Sequence, residues 1–425
     1  MWIEGTSTSY IYCVTVTEPR SALAKGLIFV GVATLVGNGA AYALSMFAAR
    51  VLDPEDFGAF GALMGVLIIV STLSIALQTM TARRVAVAGA DRTDVEGQAV
   101  RLALYLAVAI AAVGVLAAWP LGEILAIPYL AILLGFFSLS FVVLGTASLG
   151  IGQGREEHMR FSAGFIANGM GRAFAGIAFL LVFKTIEGAA LGILIGCAVG
   201  AFVSYRIICP GAWAKSLTKG SVPEFGHVAH ALVVLFTLTN IDVLLARVFL
   251  SEADSGEYSV GVLLAKIAFF LPNAIIIVLF PKMTSGDNRR AVFIATGLTA
   301  CMGLGITLFS LLFGSFVIRI LGGSQYIDLG LGSSAWRFAL EGSAFALVQV
   351  LLYARLAAQD RRAVVLVWAG LIALVTSVSL WFHNSVEEIV TTVVVISLVL
   401  TVIGLLLDRR SSISGTVMEP IEIAE

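Results

Sequence analysis

Twelve apolar segments, each about 20 residues or longer, recur along the chain and constrain its fold more than any other feature. A helix needs about 20 mostly apolar residues to cross the hydrocarbon core of a bilayer. Lipid offers the backbone no hydrogen-bond partners, so each segment must satisfy its own N–H and C=O groups as a helix. The chain is therefore predicted to be an all-α membrane protein with about 12 transmembrane helices. Their predicted bounds are 26–49, 57–80, 99–118, 127–150, 161–183, 186–208, 227–250, 258–281, 291–313, 334–357, 363–382 and 386–407.

Little of the 425-residue chain remains for structure outside the membrane. Charged residues make up 12% of it, whereas soluble domains carry about 25%. The longest connection, near 209–226, has no room for a nucleotide-binding domain, and no GxxxxGKS/T phosphate loop is present. A formal charge of −1 gives no basic excess for nucleic acid, and the four cysteines form no CxxC pair typical of a zinc site. No cofactor or metal is expected.

Lysine and arginine are distributed unevenly between the two sides of the predicted bundle. Of these 26 residues, 19 fall in the tails and the connections on the same side, 5 fall on the opposite side, and 2 lie inside helices. Cytoplasmic loops carry the excess of positive charge, so both termini are predicted to be cytoplasmic. The first 20 residues lack a charged segment followed by an apolar core, so no cleavable signal peptide is expected.

A short sequence recurs half a chain apart: residues 49–60 read ARVLDPEDFGAF and residues 246–258 read ARVFLSEADSGEY. The offset is 197 at Arg50 and Arg247 and 198 at Gly58 and Gly256, which corresponds to six helices. Six is even, so both halves enter the membrane in the same direction. This predicts two parallel six-helix repeats around a central cavity, as in transporters that rock two bundles about a central site. The predicted domains are an N-terminal tail 1–22, a first half 23–208, a cytoplasmic linker 209–226, a second half 227–408 and a C-terminal tail 409–425.

Local signals predict how some of these helices begin and pack. Asp53 stands where it can cap a helix that starts at Pro54, and Ser251 and Asp254 have near capping-box spacing. In the sixth helix, glycines recur every four residues and line one face, which predicts a tight helix–helix seam. These glycines are Gly188, Gly192, Gly196 and Gly200.

The repeated segments resemble the polysaccharide-transport branch of the multidrug/oligosaccharidyl-lipid/polysaccharide exporter superfamily, which includes the O-antigen-type flippases of bacteria. Residues 49–58 are similar to the family's opening element, although Asp53 stands where the family often has glycine. The second half is similar to the family's string of N-x-D, G-x-Y, L-P and F-P elements at 240–242, 256–258, 271–272 and 280–281. The resemblance covers roughly residues 22–408 by topology.

This resemblance implies a transporter, and no enzyme, that flips lipid-linked oligosaccharide or polysaccharide precursors across the bacterial plasma membrane by alternating access, coupled to an ion. The implied partners are the lipid-linked glycan, membrane lipid, a coupling proton or Na⁺, and a glycan polymerase and glycosyltransferases. The alternative is an ion-coupled multidrug exporter of the same superfamily, which would have a smaller, more apolar and aromatic cavity. A membrane enzyme would need a sizeable outer loop, and a non-transporting assembly protein would lack intramembrane charges.

Four charged residues lie inside the predicted helices, where each charge costs about 2.5–3.5 kcal/mol and therefore needs a reason. Arg172 lies about 16 Å deep in the fifth helix. Asp242, Lys266 and Glu341 lie about 10–12 Å below the outer boundary. Asp242 and Lys266 belong to one helical hairpin and are spaced to form an ion pair that merely tolerates burial. Their first-half counterparts are uncharged, so the fold does not need such a pair in both halves.

The same four residues are the candidates for function. Arg172 and Lys266 are the substrate-binding candidates, because a lipid-linked glycan carries an anionic phosphate or pyrophosphate. Asp242 and Glu341 are the ion-coupling candidates, because a carboxylate can bind and release a proton or Na⁺. Pro272 removes a backbone hydrogen bond within the predicted eighth helix, which should kink there, and is the hinge candidate.

Overall fold

The structure is a computed structural model that describes residues 20–208, 221–272, 288–357 and 362–414. Most of the predicted N-terminal tail, most of the linker, the end of the eighth helix and most of the C-terminal tail lie outside the described residues. The helices are α1 Arg20–Val51, α2 Pro54–Val87, α3 Arg92–Leu125, α4 Tyr129–Gly154, α5 His158–Phe183, α6 Ile186–Ile208, α7 Ser221–Leu238, α8 Ile241–Phe249, α9 Glu252–Phe270, α10 Asn288–Leu321, α11 Gln325–Asp328, α12 Leu331–Ala357, α13 Arg362–Leu380 and α14 Val386–Ser414.

All twelve predicted helices have a counterpart in the described part of the chain, which confirms the all-α membrane fold. Nine described helices are long and apolar enough to cross a membrane, and α7 with α8 would make a tenth. The apolar part of α13, Val364–Leu380, is shorter, and α9 borders residues that are not described. The prediction was wrong for the seventh helix, which is broken into α7 and α8 with a bend of 43° between them.

The packing of the first half is repeated in the second. In the first half, α1 packs on α5, both α2 and α3 pack on α4, and both α4 and α5 pack on α6. In the second half, α7 and α8 pack on α13, both α9 and α10 pack on α12, and both α12 and α13 pack on α14. Each pair has its counterpart six helices later, which confirms two parallel six-helix repeats. We call the end of the molecule with the α1–α2 and α8–α9 turns the outer end, and the other the inner end.

Helices α2 and α9 begin at the residues where the sequence predicts helix N-termini. Ser251 is the N-cap of α9, and its hydroxyl accepts a hydrogen bond from the Asp254 backbone N–H at 3.2 Å. Asp53 is the N-cap of α2 with Pro54 at the first position, but its side chain makes no capping hydrogen bond. Proline has no N–H to satisfy, and its fixed φ already favours the helix, so α2 can begin without that bond.

The glycine face of α6 forms the predicted tight seam, and its partner is α5. A Cβ added at Gly192 would lie 2.3 Å from the Ala175 carbonyl oxygen, and one at Gly196 would lie 2.2 Å from the Gly171 oxygen. The two backbones therefore touch, and no larger residue fits between them. This close packing fixes the position of α5 relative to α6, and with it the residues that α5 presents to the interior.

The two halves cross closely where α2 meets α9, the helices that begin with the repeated sequence. A Cβ added at Gly58 would lie 2.1 Å from Ser255 Oγ and 2.9 Å from the Gly256 backbone nitrogen. A Cβ added at Gly256 would lie 2.0 Å from the Pro54 carbonyl oxygen. The two repeat-related glycines thus face each other's helix, and their lack of a side chain lets the halves approach.

A Gly256→Ala variant is expected to be strongly destabilised, because the added methyl group would overlap a backbone carbonyl that cannot rotate away. Overpacking of this kind costs about 1–3 kcal/mol or more. Gly297→Ala in α10 is the matched control, since no atom lies within 4 Å of its Cβ position. Thermal unfolding in detergent should show a lower midpoint for Gly256→Ala alone. Equal midpoints for the two variants would contradict the close crossing.

Candidate functional site

A central cavity of about 370 Å³ lies between the halves, bounded by α1, α2, α4, α5 and α6 on one side and mainly by α9 on the other. Its polar lining includes Asn38, Tyr42, Ser45, Ser71 and Ser138. Among the described residues that line it, the charged side chains are Arg172 and Lys266, and both are cationic. The cavity therefore offers positive charge to whatever enters it.

Arg172 is placed by the seam between α5 and α6. A Cβ added at Gly196 would lie 2.6 Å from the Arg172 Cα, so the backbone at Arg172 lies against the backbone of α6. The Arg172 side chain lines the cavity. The side chain is half-buried. Ion pairs within 4.0 Å in the described part of the chain do not include it. Its charge is therefore available to a ligand.

The break between α7 and α8 lies at Thr239 and Asn240, within the predicted seventh helix. Side chains near the break bond to backbone carbonyls in the turn before them: Asn240 Nδ2 donates to the Phe236 oxygen at 2.8 Å, and Thr237 Oγ1 to the Val233 oxygen at 2.7 Å. The Asn240 backbone N–H donates to the Thr237 oxygen, so the Phe236 carbonyl lacks its regular helical donor and the Asn240 side chain replaces it. Such replacement bonds are required where a helix is interrupted in lipid. Asp242 lies in the first turn of α8, directly after the break, and is buried.

Asp242 lies in a buried polar cluster at the seam between α8, α9 and α12. It has no exposed surface, and the Tyr258 hydroxyl donates to its Oδ2 at 3.0 Å. The Glu341 carboxyl group, 2% exposed, is its neighbour, and Lys266 interacts electrostatically with both acids. Lys266 forms no ion pair within 4.0 Å among the described residues, so the predicted close pairing with Asp242 is absent.

The Asp242 and Glu341 carboxyl groups lie within hydrogen-bonding distance of each other, whereas Asn240 Oδ1 has no hydrogen-bond partner in the described part of the chain. A void of about 20 Å³ is lined by Asn240, Lys266 and Glu341. A void needs roughly 10–15 Å³ to hold one water, so one water or a small cation fits beside Asn240 and Glu341. A buried oxygen without a partner is costly, which favours an occupant.

The cluster belongs to the second half only. Gly135 and Gly145 of α4 correspond to Gly332 and Gly342 of α12 at the repeat offset of 197. With this offset the counterparts of Asp242 and Glu341 are Ser45 and Leu144, and with the offset of 198 that relates α2 to α9 the counterparts of Tyr258 and Lys266 are Phe60 and Ile68. The equivalent positions of the same fold are thus filled by small or apolar residues. The cluster is therefore not needed to build a six-helix half.

The structure brings three of the predicted residues together, Asp242, Lys266 and Glu341, and places Arg172 across the cavity from Lys266. Sequence reasoning missed Tyr258, although the change from Phe60 to Tyr258 between the two repeats was a signal. Pro272 lies in the turn after α9 ends at Phe270, and residues 273–287 are not described, so its role as a hinge stays a prediction.

The chain was compared with protein families and with known proteins. The family model described as "Polysaccharide biosynthesis protein" matches residues 23–287. No curated protein sequence matches the chain.

Solved structures share the fold at low sequence identity. An inward-facing multidrug resistance MATE family transporter of the MOP superfamily is 14% identical, with a TM-score of 0.75 over 92% of this chain and 100% of its own. The lipid II flippase MurJ is 13% identical, with a TM-score of 0.69 over 90% of this chain and 87% of its own. A MOP superfamily transporter from Pyrococcus furiosus, described as having a binding pocket of reverse polarity, is 16% identical, with a TM-score of 0.66 over 91% and 95%.

The family model covers well over half of the chain and includes both copies of the repeated sequence. The solved structures carry the same arrangement of helices, which confirms the fold expected from the resemblance. The chain therefore belongs to the polysaccharide biosynthesis protein family, shares the fold of these MOP superfamily transporters, and is a multi-pass membrane protein.

Proposed function

We propose that this protein flips a lipid-linked oligosaccharide or polysaccharide precursor across a bacterial plasma membrane by alternating access. One observation carries the proposal: the charged side chains that line the described cavity, Arg172 and Lys266, are both cationic. A phosphate or pyrophosphate bridge is the anionic part of a lipid-linked glycan. Charge-assisted hydrogen bonds from guanidinium and ammonium groups suit that bridge, and Arg172 can bind it in a bidentate fashion.

The size of the cavity fits the reacting end of such a substrate. Its 370 Å³ is in the range of about 300–1,000 Å³ that small-molecule pockets occupy, which is enough for a phosphate bridge and the first sugar. Tyr42, Asn38 and the serines of the lining offer hydrogen bonds to sugar hydroxyl groups. In this proposal, the lipid tail stays in the bilayer while the polar head passes between the halves.

The polar cluster of the second half supports ion coupling. The Glu341 carboxyl group, which lies within hydrogen-bonding distance of that of Asp242, borders a void that fits one water or Na⁺, and Lys266 borders both this void and the substrate cavity. An ion that binds the carboxylates would change the field at Lys266, and so the affinity of the cavity for an anion. A membrane potential supplies about 2.3 kcal/mol per charge per 100 mV, which suffices to bias such a cycle.

A multidrug exporter is the alternative, and the aromatic side chains of the lining favour it. Phe57, Phe60, Phe236 and Phe270 line the cavity together with Tyr42. Against it, two cationic side chains without an acidic lining residue repel the organic cations that such exporters carry. The flippase therefore fits the charge of the cavity better, while both functions fit its size.

A two-substrate assay in proteoliposomes tests the proposal. We expect the protein to speed the movement of a fluorescent polyprenyl pyrophosphate-linked oligosaccharide between leaflets, read as the fraction that an external quencher reaches. It should leave the distribution of a fluorescent organic cation unchanged. Transport of the organic cation with no movement of the glycan lipid would overturn the flippase and support the drug exporter.

The proposal also includes the predicted topology and the predicted partners. Both termini face the cytoplasm, where glycosyltransferases assemble the precursor, and a glycan polymerase acts on the product after the flip. Deletion of the gene is then expected to leave lipid-linked glycan on the cytoplasmic face of the membrane, measured by extraction and by its protection from an external enzyme. Glycan that still reaches the outer face at the normal rate would contradict this assignment.

A further inference from the structure

Arg247, the arginine of the second repeat copy, bonds to the first half of the molecule. It lies in the last turn of α8 and is 7% exposed. Its Nε donates to the Leu125 carbonyl oxygen at 2.8 Å, and its Nη2 to the Ala126 oxygen at 3.0 Å. Leu125 ends α3, and Ala126 is its C-cap in the left-handed conformation. Arg247 thus caps a helix C-terminus, where carbonyls lack partners and the helix dipole favours a cation.

Arg50, the arginine of the first copy, makes the reciprocal contact. Its Nη2 donates to the carbonyl oxygen of Ile320, next to the end of α10. Since α10 is the third helix of the second half, it stands where α3 stands in the first. The Gln325 amide adds a bond from the second half to the Ala49 oxygen at 2.8 Å. Each half therefore supplies an arginine that caps the third helix of the other half.

This crossed arrangement restricts how the halves can move. The main acceptors are backbone carbonyls fixed at helix ends, so a rotamer change on the acceptor side cannot release the arginines. At the inner end, by contrast, the halves are joined by a side-chain ion pair between Arg84 and Glu224, which are 23% and 30% exposed. An ion pair between two side chains can separate by rotamer changes of both partners, whereas the carbonyls at the outer end can leave the arginines only if the helix ends move.

We propose that Arg50 and Arg247 form a crossed latch that holds the outer ends of the halves together, and that both contacts break when the cavity opens outward. The latch rests on the alternating-access function proposed above. Below it, the cavity is walled by Phe57 and Phe60, each 1% exposed, so separation at this end would uncover the cavity. Arg247 also donates to the Glu55 carbonyl oxygen of the first half at 3.3 Å and is buried, whereas Arg50 is exposed, so Arg247 contributes more than Arg50 to the contact between the halves.

Distances between spin labels at the outer end test the latch. Lys184 and Asn384 are exposed and lie in the α5–α6 and α13–α14 turns, one in each half. With cysteines there and the native cysteines replaced, double electron–electron resonance reports the separation of the halves. We expect Arg247→Ala to raise the ratio of long to short distances roughly tenfold or more, and Arg50→Ala to raise it less. The double variant should exceed both.

Arg319→Ala is the matched control, because Arg319 is exposed at the same end of α10 and its side chain has no bonded partner among the described residues. It removes the same charge and should leave the distances unchanged. Arg50 is exposed, so its variant tests the latch even where loss of buried Arg247 impairs folding. Distances in Arg50→Ala and Arg247→Ala that match those of Arg319→Ala would overturn the latch. The measurement needs no substrate, so its result is independent of whether the cargo is a glycan lipid or a drug.

Discussion

An Arg172→Ala variant is expected to fold normally and to lose roughly 10- to 100-fold in the rate of glycan-lipid translocation at limiting substrate. The range follows from the contribution of a hydrogen bond to a charged group, about 1.5–3 kcal/mol, where 1.4 kcal/mol is tenfold. Folding should survive because Arg172 is half-buried and no described ion pair includes it. Removal of the side chain therefore leaves no buried partner uncompensated.

Two further variants make this test specific. Arg92→Ala removes the same side chain at an exposed position outside the cavity and should translocate normally. Arg172→Lys keeps the charge but loses the planar fork, so an intermediate rate is expected. The measurement is the quencher-accessible fraction of the labelled glycan lipid over time, at equal amounts of folded protein. Normal translocation by a well-folded Arg172→Ala protein would remove Arg172 from the substrate site.

Replacement of Asp242 by asparagine, or of Glu341 by glutamine, is expected to abolish the stimulation of transport by an imposed H⁺ or Na⁺ gradient. Each amide keeps the shape of the carboxyl group, but it can neither take up a proton at ordinary pH nor balance the charge of Na⁺. Substrate binding should persist, because Arg172 and Lys266 still line the cavity. The readout is the rate with the gradient divided by the rate without it, in the same proteoliposomes.

The thermal stability of variants tests independently whether Asp242 and Glu341 compensate the charge of Lys266. The double variant of Asp242 and Glu341 leaves the Lys266 charge without its neighbouring acids, so its midpoint of thermal unfolding should fall below that of either single variant. Addition of Lys266→Met should restore the midpoint, because it removes the uncompensated charge. Glu123→Gln, at an exposed position of α3, is the control for loss of one acid. A gradient that still stimulates both single variants fully would exclude the cluster as the coupling site.

The twelve helices and their parallel repeat were predictable because each follows from local sequence. A segment of about 20 apolar residues has to form a helix in lipid whatever its neighbours are. The repeated sequence predicted the relation between the two halves. The four-residue spacing of Gly192 and Gly196 predicted a tightly packed face on α6, although not the helix that packs against it. The intramembrane charges gave most of the candidate site, because a charge in lipid is too costly to be incidental.

The tertiary structure decided what depends on contacts between distant residues. The break at Asn240 was not predictable, because single asparagines and threonines are common in unbroken helices and the bond from Asn240 to the Phe236 carbonyl is visible only in the folded structure. The role of Tyr258 in the polar cluster follows from the hydrogen bond that its hydroxyl donates to Asp242, which only the structure shows. The sequence by itself determined which segments cross the membrane, since hydropathy is a property of each segment. The packing of the helices determined which groups of the two halves contact each other. No local sequence pattern predicts a contact such as that of Arg247 with Leu125, 122 residues away.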